Sequence, residues 1–403
     1  MSVSPRVGGG VLSHEGNGLN VQETGTMLYA IAHSKSGITI VVSTPDIKTP
    51  PEVSVHQMVS HGTTMPDFSA HDLVFIEHVA HLDDLALRAA NADACVFRII
   101  YTDARKDVPA CAISNADEIE RYSPEMREYV DKARKIFTLS VDHRETAIVV
   151  DALSRDILRI KAFARARKVL LDMRGLVETH AIALETTGPS DAHEIILRGY
   201  ETTAHSLQTE VRTLDAEIAK LLKIHPELEE MREKLRCPVP QMECILAEIV
   251  DPRRFKNEHA VAQCIDARRI KNNRPLRRAV LEWCTYLLQD TDSEWPAWME
   301  RQTAFQLYQI LREQERLAQI VGVDVRLTPI PFYDRQIGNV KQIRDTDLKE
   351  LTQHLAFVRE NHADAWRYAS DANEQAKKRA MKRMSQRVIR KLYRRWSALV
   401  RTQ

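Results

Sequence analysis

LQTEVRTLDAEIAKL, residues 207–221, carries the clearest periodic signal in the chain. Its apolar residues follow one another at intervals of four, three, four and three, and they are Leu207, Val211, Leu214, Ile218 and Leu221. This spacing keeps one apolar seam on a slightly underwound helix, which is typical of a helix that pairs with another helix. Pro226 interrupts the pattern, and the spacing then resumes, so we expect a second helix with proline in its first turn.

C-terminal to these two predicted helices the chain becomes strongly basic over RRFKNEHAVAQCIDARRIKNNRPLRRAV, residues 253–280. Guanidinium groups bind phosphate oxygens bidentately, and asparagines on a turn can contact bases or ribose. A solvated helix face also explains many charge runs, but Asp266 is the only acid among residues 264–278. We therefore predict a basic module at 237–290 that binds a polyanion. Its candidate residues are Arg253, Arg254, Lys256, Arg268, Arg269, Lys271, Asn272, Asn273, Arg274, Arg277 and Arg278.

The composition favours a large, mainly helical protein. The 403 residues suffice for two or three domains, and six of the 13 glycines fall in the first 25 residues, leaving the remainder free for long helices. The six cysteines form no CxxC pair, which argues against a zinc ribbon or a redox motif and favours reduced core thiols. No apolar run reaches about 18 residues. We expect a cytoplasmic protein, no membrane contact and a disordered segment at 1–25.

Residues 26–145 are predicted to form an α/β domain. MLYAIAHS and GITIVVS are two β-branched, apolar runs around Lys35 and Ser36, which indicates a hairpin, and a third extended run lies at 52–59. DLVFIEH and ACVFRIIY flank the helical pattern HLDDLALRAANA, which predicts a parallel β-α-β crossover. Three strands followed by alternating α and β elements are the order of an RNase H-like fold.

From His143 onward the pattern predicts helices. Val150, Leu153, Ile157 and Ile160 mark one apolar stripe, which Val169, Met173 and Leu176 extend toward a turn at Gly188-Pro189. The returning helix carries the seam at 207–221. Residues 146–236 are thus predicted as an antiparallel coiled-coil stalk, with an ordinary helical bundle as the alternative.

Residues 291–403 are predicted as a helical extension with a basic tail. The segment SEWPAWMERQTAFQLYQILREQERLAQIVG indicates a helix pair, VDVRLTPIPFYD an extended segment, and the chain from Thr346 a long helix. Residues 377–401 hold 11 basic residues and no acid, although the formal net charge of the whole chain is only +1. The tail candidates for RNA contact are Lys382, Arg383, Arg387, Arg390 and Arg394.

The tail also has an apolar face, formed by Met381, Met384, Val388, Leu392 and Trp396. This face can dock on the protein's own core, on a partner protomer with RNA across the basic side, or on an anionic membrane surface. We favour nucleic acid with dimer contacts, because the upstream module suggests the same ligand.

This order of elements resembles a known family over about residues 27–288. An RNase H-like domain, an antiparallel coiled coil and a small helical module are similar to the DEDD transposases, the bridge-RNA-guided recombinases of insertion sequences. They also resemble relatives that share the Nop-type RNA-binding module, including the Tas proteins of TIGR systems. In the family the coiled coil ends in a proline turn, a helix, an "RF" segment and an "LRRAL"-like helix. Arg254-Phe255 and Leu276-Arg277-Arg278-Ala279 stand at those places.

The resemblance refines the predicted fold class. It implies an α+β, mainly helical protein with four parts: a RuvC-like (RNase H-like) α/β domain, an antiparallel coiled-coil stalk, a small helical Nop/transposase-like module, and a helical basic C-terminal extension.

The family's catalytic motifs are only half present. Family nucleases use four carboxylates to hold two divalent cations that activate water and stabilise the leaving oxygen. Glu77 and Asp151 match two of them, whereas Ala32 and Ile148 stand where the other two are expected. The serine nucleophile of the recombinases is also missing, since residues 264–278 contain no serine. The resemblance therefore implies a vestigial catalytic site at Glu77 and Asp151.

Two other groups of residues contain possible metal ligands. His33, beside Ala32, is a possible softer ligand, although a single histidine at a strand end is more often an ordinary residue. Glu77, His78, His81, Asp83 and Asp84 form a denser group with transition-metal ligand types. A polar strand end followed by a helix N-terminus is the better explanation of that group, because acids favour the positive end of the helix dipole. We predict no metal site and no cofactor.

The leading functional hypothesis is a guide-RNA-binding protein that forms a homodimer and presents RNA for DNA targeting. Target DNA would then be recognised through RNA pairing, while the protein recognises shape and backbone. One alternative is an RNA-guided, metal-dependent DNA endonuclease with an altered site, which would require Mg²⁺. The other is a structural coiled-coil scaffold.

Overall fold

The architecture comes from a computed structural model. The structure describes residues 27–33, 38–45, 48–57, 67–79, 82–99, 108–142, 147–186, 191–266, 273–321, 338–361 and 363–402. The chain divides into two compact units at residues 150 and 151, and each unit is described by itself. α-Helices make up most of the described residues, and one mixed sheet lies in the first unit. The protein is therefore α+β and mainly helical, as the sequence predicts.

The first unit is built on a mixed sheet whose described strands run in the order β3-β2-β1-β4-β5-β6. The first three strands are antiparallel neighbours, β4 and β5 run parallel to β1, and β6 is antiparallel to β5. The strands are β1 (Leu28–His33), β2 (Ile38–Thr44), β3 (Glu52–Gln57), β4 (Leu73–Glu77), β5 (Cys95–Ile99) and β6 (Ile148–Val149). The helices are α1 (Asp83–Asn91), α2 (Ala116–Ile119) and α3 (Pro124–Asp142).

The strand predictions for this unit are confirmed. In the hairpin, Leu28 pairs with Thr44 and His33 with Thr39, and helix α1 connects the parallel strands β4 and β5. All five residues of β4 are buried, because a parallel strand between two neighbours is covered on both faces. The register leaves Glu77 at the carboxyl end of this buried strand.

Helix α3 covers the sheet and carries no separate sequence prediction. Its buried residues Val130, Ala133, Ile136 and Phe137 join the core formed by the strands. Their spacing of three, three and one places them on one helix face. The same helix also brings Lys132 to the end of β4.

The predicted run of helices from His143 is wrong for residues 148–149, which form β6. Three consecutive β-branched residues, Ile148 to Val150, favour an extended backbone. The first long helix begins only at Ala152, where the Asp151 side chain caps it.

The second unit is helical throughout its described residues. Its helices are α4 (Ala152–Glu185), α5 (Asp191–Ile224), α6 (Pro226–Lys234), α7 (Val239–Ile249), α8 (Glu258–Cys264), α9 (Arg274–Gln289), α10 (Trp295–Val321), α11 (Asp345–Asn361) and α12 (Ala363–Thr402). Short 3₁₀ turns lie at Pro252–Arg254 and Val340–Gln342. Pro226 occupies the first turn of α6, as predicted.

Helices α4 and α5 pair antiparallel along the predicted seam. Arg167 donates a hydrogen bond to Asp215, and Arg174 donates one to Gln208. The second pair lies seven residues later on α4 and seven residues earlier on α5, so the two helices run in opposite directions. Of the seam residues, Val211, Ile218 and Leu221 are buried, and Leu207 and Leu214 are half-buried. The predicted turn at Gly188-Pro189 lies outside the described residues.

The α4 stripe behaves differently from the prediction. Val169, Met173 and Leu176 do not face α5; they are 57, 48 and 61 % exposed. On a helix of 3.6 residues per turn they lie beside Leu170 and Val177, which are half-buried. The α4–α5 hairpin therefore keeps an apolar stripe on its surface.

Helix α10 is one continuous helix of 27 residues, and the predicted helix pair is wrong. Its segment contains no internal glycine, and its one proline, Pro296, lies in the first turn, where proline is tolerated. Helices α11 and α12 cover the stretch predicted as a long C-terminal helix. The predicted extended segment VDVRLTPIPFYD lies outside the described residues.

The apolar face of α12 packs within its own unit. Met384, Val388, Leu392 and Trp396 are at most 1 % exposed, and α12 contacts helices α6, α8, α9, α10 and α11. This is the first of the three docking options, so the favoured expectation that this face makes dimer contacts is wrong. Burial of one face turns the basic face of α12 outward.

Candidate nucleic-acid interface

The predicted catalytic residue Glu77 is held by two contacts inside the first unit. Its Oε1 lies 2.5 Å from the Lys132 Nζ, and its Oε2 accepts the backbone N–H of His33 at 3.2 Å. The Glu77 side chain is only 6 % exposed, and Ala32 beside it is fully buried. The lysine ammonium thus supplies the positive charge that a buried carboxylate requires.

Asp151 belongs to the second unit and caps helix α4. Its Oδ1 accepts the backbone N–H of Ser154 at 2.7 Å, and its Oδ2 lies 4.0 Å from Arg253 Nη2. Aspartate at this position satisfies a helix N–H that has no partner within the helix. Asp151, which matches a catalytic acid of the family motif, therefore has an ordinary structural role as a helix cap.

The group considered as a transition-metal site is organised around an ion pair instead. Asp83 Oδ1 accepts from Arg98 Nη2 at 2.7 Å, and both side chains are almost fully buried. His81 lies outside the described residues. Within the part of the chain that the structure describes, no group of three or more histidine, cysteine or acidic side chains has the arrangement of a metal site.

The predicted basic module is largely engaged in contacts of its own. Arg253 forms a bidentate ion pair with Asp251, with Nη2 to Oδ2 at 2.7 Å, and Arg254 donates a hydrogen bond to the carbonyl of Ile249. Arg278, which is 83 % exposed, pairs with Glu282 one turn along α9. The guanidinium groups of Arg253 and Arg254 thus stabilise the 3₁₀ turn, and that of Arg278 forms an ion pair on the surface of α9.

Asn273 has a capping role. Its Oδ1 accepts the N–H of Leu276 at the start of α9, and its Nδ2 donates to Glu248. Lys256 and Arg274 are exposed, and Arg277 is half-buried. Four further module candidates, Arg268, Arg269, Lys271 and Asn272, lie outside the described residues.

Helix α12 forms ion pairs with acids that precede it in sequence, and two of these acids belong to the module. Lys382 contacts Asp266 at 2.9 Å, Lys391 contacts Glu294 at 2.9 Å, and Arg394 Nη2 contacts Glu258 at 2.7 Å. Hydrogen bonds from Arg394 and Lys391 lower the pKa values of Glu258 and Glu294 respectively. The charges of Lys382, Lys391 and Arg394 are therefore largely compensated.

Three tail arginines form no direct ion pair of this kind among the described residues. Arg383, Arg387 and Arg390 recur at intervals of four and three, which places them on one face of α12. Among the described residues, none of the three has a carboxylate within ion-pair distance. They border a groove of about 630 Å³ between α12 and α10, whose other wall includes Trp298 and Gln302. Arg387 lies 5.4 Å from the centre of the Trp298 ring.

The structure therefore brings together the predicted residues Arg383, Arg387, Arg390 and Arg394, and it adds four that the sequence does not predict, namely Trp298, Gln302, Gln386 and Lys391. Lys391 was present in the basic tail but was not selected. Trp298 and Gln302 come from α10, a segment for which no site was predicted. The only available signal was their spacing of four residues, which also fits ordinary core packing.

No protein-family model matches the chain, and no curated protein matches it. The resemblance to DEDD transposases and the Nop module rests on the sequence motifs and stays a prediction. In the described part of the chain, no helix combines the length and the apolar character needed to cross a bilayer.

Proposed function

We propose that the protein binds RNA through the basic face of α12. The observation that carries this proposal is the row of three arginines, Arg383, Arg387 and Arg390, along one groove without carboxylate partners in the described residues. Guanidinium groups spaced along a helix match phosphates along a nucleic-acid backbone. An aromatic residue in the same groove, Trp298, suits single-stranded RNA because unpaired bases can stack on it.

The bound RNA is proposed to be a guide. The support is the resemblance of residues 27–288 to RNA-guided DEDD and Tas proteins. In such a system, base pairing between RNA and target DNA supplies the sequence readout, and the protein grips the backbone. The module and α12 would then hold a structured RNA, since Lys382 and Arg394 tie α12 to the loop and helix of the module.

A homodimer is proposed through the α4–α5 hairpin. Val169, Met173 and Leu176 form an exposed apolar stripe beside a seam that α5 already fills. A second copy offers the same stripe, so a two-fold contact covers both without another partner. The buried face of α12 takes no part in this proposal.

The contacts of Glu77 favour RNA binding over the endonuclease alternative. A divalent cation at Glu77 would have to displace or approach the Lys132 ammonium, which sits 2.5 Å from the carboxylate. Like charges at that distance repel strongly in a buried site. The scaffold alternative does not account for a row of three arginines without ion-pair partners among the described residues of the groove.

The direct test is purification of the tagged protein from its native cells, followed by sequencing of any nucleic acid bound. We expect a discrete RNA that is removed by RNase and retained after DNase. A parallel preparation of the Arg383→Gln/Arg387→Gln/Arg390→Gln variant should lose most of that RNA. Recovery of no discrete RNA from the parent protein would overturn the proposal.

A further inference from the structure

Two side chains on α10 give the groove a chemical character beyond positive charge. Trp298 and Gln302 are one turn apart, so both face the arginines of α12. The groove volume of about 630 Å³ lies within the range of pockets that enclose small ligands. A surface that only tracks phosphates needs neither an aromatic ring nor a buried amide.

Gln302 is the more unusual of the two. The residue is 3 % exposed, and its Nε2 has no hydrogen-bond acceptor among the described residues. Buried amide donors in native proteins nearly always have a partner, because an unpaired donor costs free energy. Gln306, one turn along α10, has the same unpaired Nε2 and does not line the groove, so it is the position of Gln302 in the groove wall that allows a bound group to supply its acceptor.

Trp298 is fixed in place by its neighbours. Its ring meets Trp295 edge to face at 5.7 Å, and the Arg387 guanidinium lies 5.4 Å from its centre. The Arg387 guanidinium lies over one face of this indole ring, so the platform for a flat aromatic ligand is the part of the ring that Arg387 leaves uncovered.

We propose that the groove holds one unpaired nucleobase of the bound RNA. The base stacks on Trp298, Gln302 Nε2 donates to an acceptor on the edge of the base, and Arg383 and Arg390 bind the flanking phosphates. This inference rests on the proposed RNA binding and adds to it a requirement for an exposed base. Neither an abasic strand nor a continuous duplex meets that requirement, since one lacks the base and the other buries it in the stack.

The test uses single-stranded RNA of about 12 nucleotides, an abasic strand of equal length and charge, and the corresponding duplex. We expect the parent protein to bind the base-bearing strand about 5- to 150-fold more tightly than the abasic strand, the range associated with stacking of one base. Trp298→Leu should remove most of this advantage, and Trp298→Phe should keep most of it.

Gln302→Leu tests the amide separately. It should reduce the preference for the base-bearing strand while leaving the thermal midpoint unchanged or higher, because the unpaired buried donor is gone. Tyr286→Ala, which removes an exposed aromatic residue on α9 outside the groove, serves as the matched control and should leave the preference intact.

The two proposals fail in different ways. If the parent protein binds abasic and base-bearing strands equally, with affinity that falls as salt rises, RNA binding stands and the base pocket is wrong. If no strand binds with salt-dependent affinity, the RNA-binding proposal fails first. A large loss of thermal stability in Gln302→Leu would assign the amide an internal role and also overturn the base pocket.

Discussion

Arg167 shows at the scale of one residue how the second unit handles buried charge. From α4 its Nη1 reaches Asp215 on α5 at 2.6 Å and Glu243 on α7 at 3.1 Å. Burial raises the pKa of Glu243, and the Arg167 guanidinium opposes that shift. One side chain therefore ties three helices together and opposes the effect of burial on the pKa of an almost fully buried carboxyl group.

Replacing Arg167 by methionine should destabilise the protein by about 3 kcal/mol at pH 7.5, because Glu243 is left as an unpaired buried charge. An acid whose pKa is raised on folding binds its proton more tightly in the folded state. The loss of unfolding free energy should therefore be complete when the pH is above the pKa of Glu243 in the folded variant. It should shrink as the pH falls toward about 4.3, the pKa of glutamate in the unfolded chain. Urea unfolding at both ends of this pH range measures the difference.

Two variants complete that experiment. Glu243→Gln in the Arg167→Met background should recover part of the stability and remove the pH dependence. Arg198→Met, which removes an exposed partner of Glu194 on α5, should cost no more than about 0.5 kcal/mol. Equal losses for Arg167→Met at both pH values would contradict the role given to Glu243.

Asp151 allows a helix cap to be distinguished from a metal ligand. Asparagine keeps the hydrogen bond to Ser154 and removes the charge, whereas alanine removes both. For a cap, Asp151→Ala should cost about 1 kcal/mol of unfolding free energy and Asp151→Asn little. Loss of an Mg²⁺-dependent DNA cleavage activity in both variants would instead identify a catalytic acid.

The sequence could identify these residues but not their contacts. Glu77 and Asp151 stood out because their positions match a family motif, and their partners Lys132 and Ser154 come from elements whose placement depends on the fold. Arg253 and Asn273 were recognised as polar groups suited to RNA. Their roles in chelating Asp251 and capping α9 follow from local turns that composition does not reveal.

At the scale of elements, the α4–α5 hairpin has two apolar surfaces with different fates. The seam at 207–221 is covered by α4, and the stripe at Val169, Met173 and Leu176 is exposed. Helical periodicity predicts that both surfaces exist, but it does not specify which one faces the neighbouring helix. For the same reason the apolar face of α12 was recognised correctly and assigned to the wrong partner.

Replacing Val169, Met173 and Leu176 together by glutamine should convert the proposed dimer to a monomer. Helix content should stay unchanged, because these side chains contact little within their own chain. Sedimentation velocity of parent and variant at equal concentration measures the change. Leu171→Gln, at an exposed position on another face of α4, is the control and should leave the dimer intact. A parent protein that sediments as a monomer would contradict the proposed contact.

Strands and helices differed in how well they could be predicted. The hairpin and the β-α-β crossover were found because short β-branched runs stand between turn signals. The two-residue strand β6 was missed because so short a segment depends on pairing with β5. Helix α10 was divided in two although its segment contains no helix-breaking residue after its first turn.

For the whole molecule, the near-zero net charge conceals an uneven distribution. Three residues of the basic tail pair with Glu258, Asp266 and Glu294, acids that precede α12 in sequence. Among the tail residues without such an ion pair are three arginines that lie in a row beside Trp298 and Gln302. Counting charges along the sequence overestimates this surface, and only the packing of α12 on α8 to α10 defines its position.

The central claim is that these three arginines bind the RNA backbone. It is tested most directly by the salt dependence of affinity for a single-stranded RNA of about 20 nucleotides. The parent is compared with Arg383→Gln/Arg387→Gln/Arg390→Gln and with a matched control, Arg198→Gln/Lys220→Gln/Lys223→Gln, which removes three exposed charges on α5.

Each phosphate contact on a single strand contributes about 0.7 to the slope of log affinity against log salt. The α12 variant should therefore bind more weakly and lose about 2 from the magnitude of that slope, while the α5 control keeps the parent slope. Identical slopes for the parent and the α12 variant, or equal losses in both variants, would contradict RNA binding by α12.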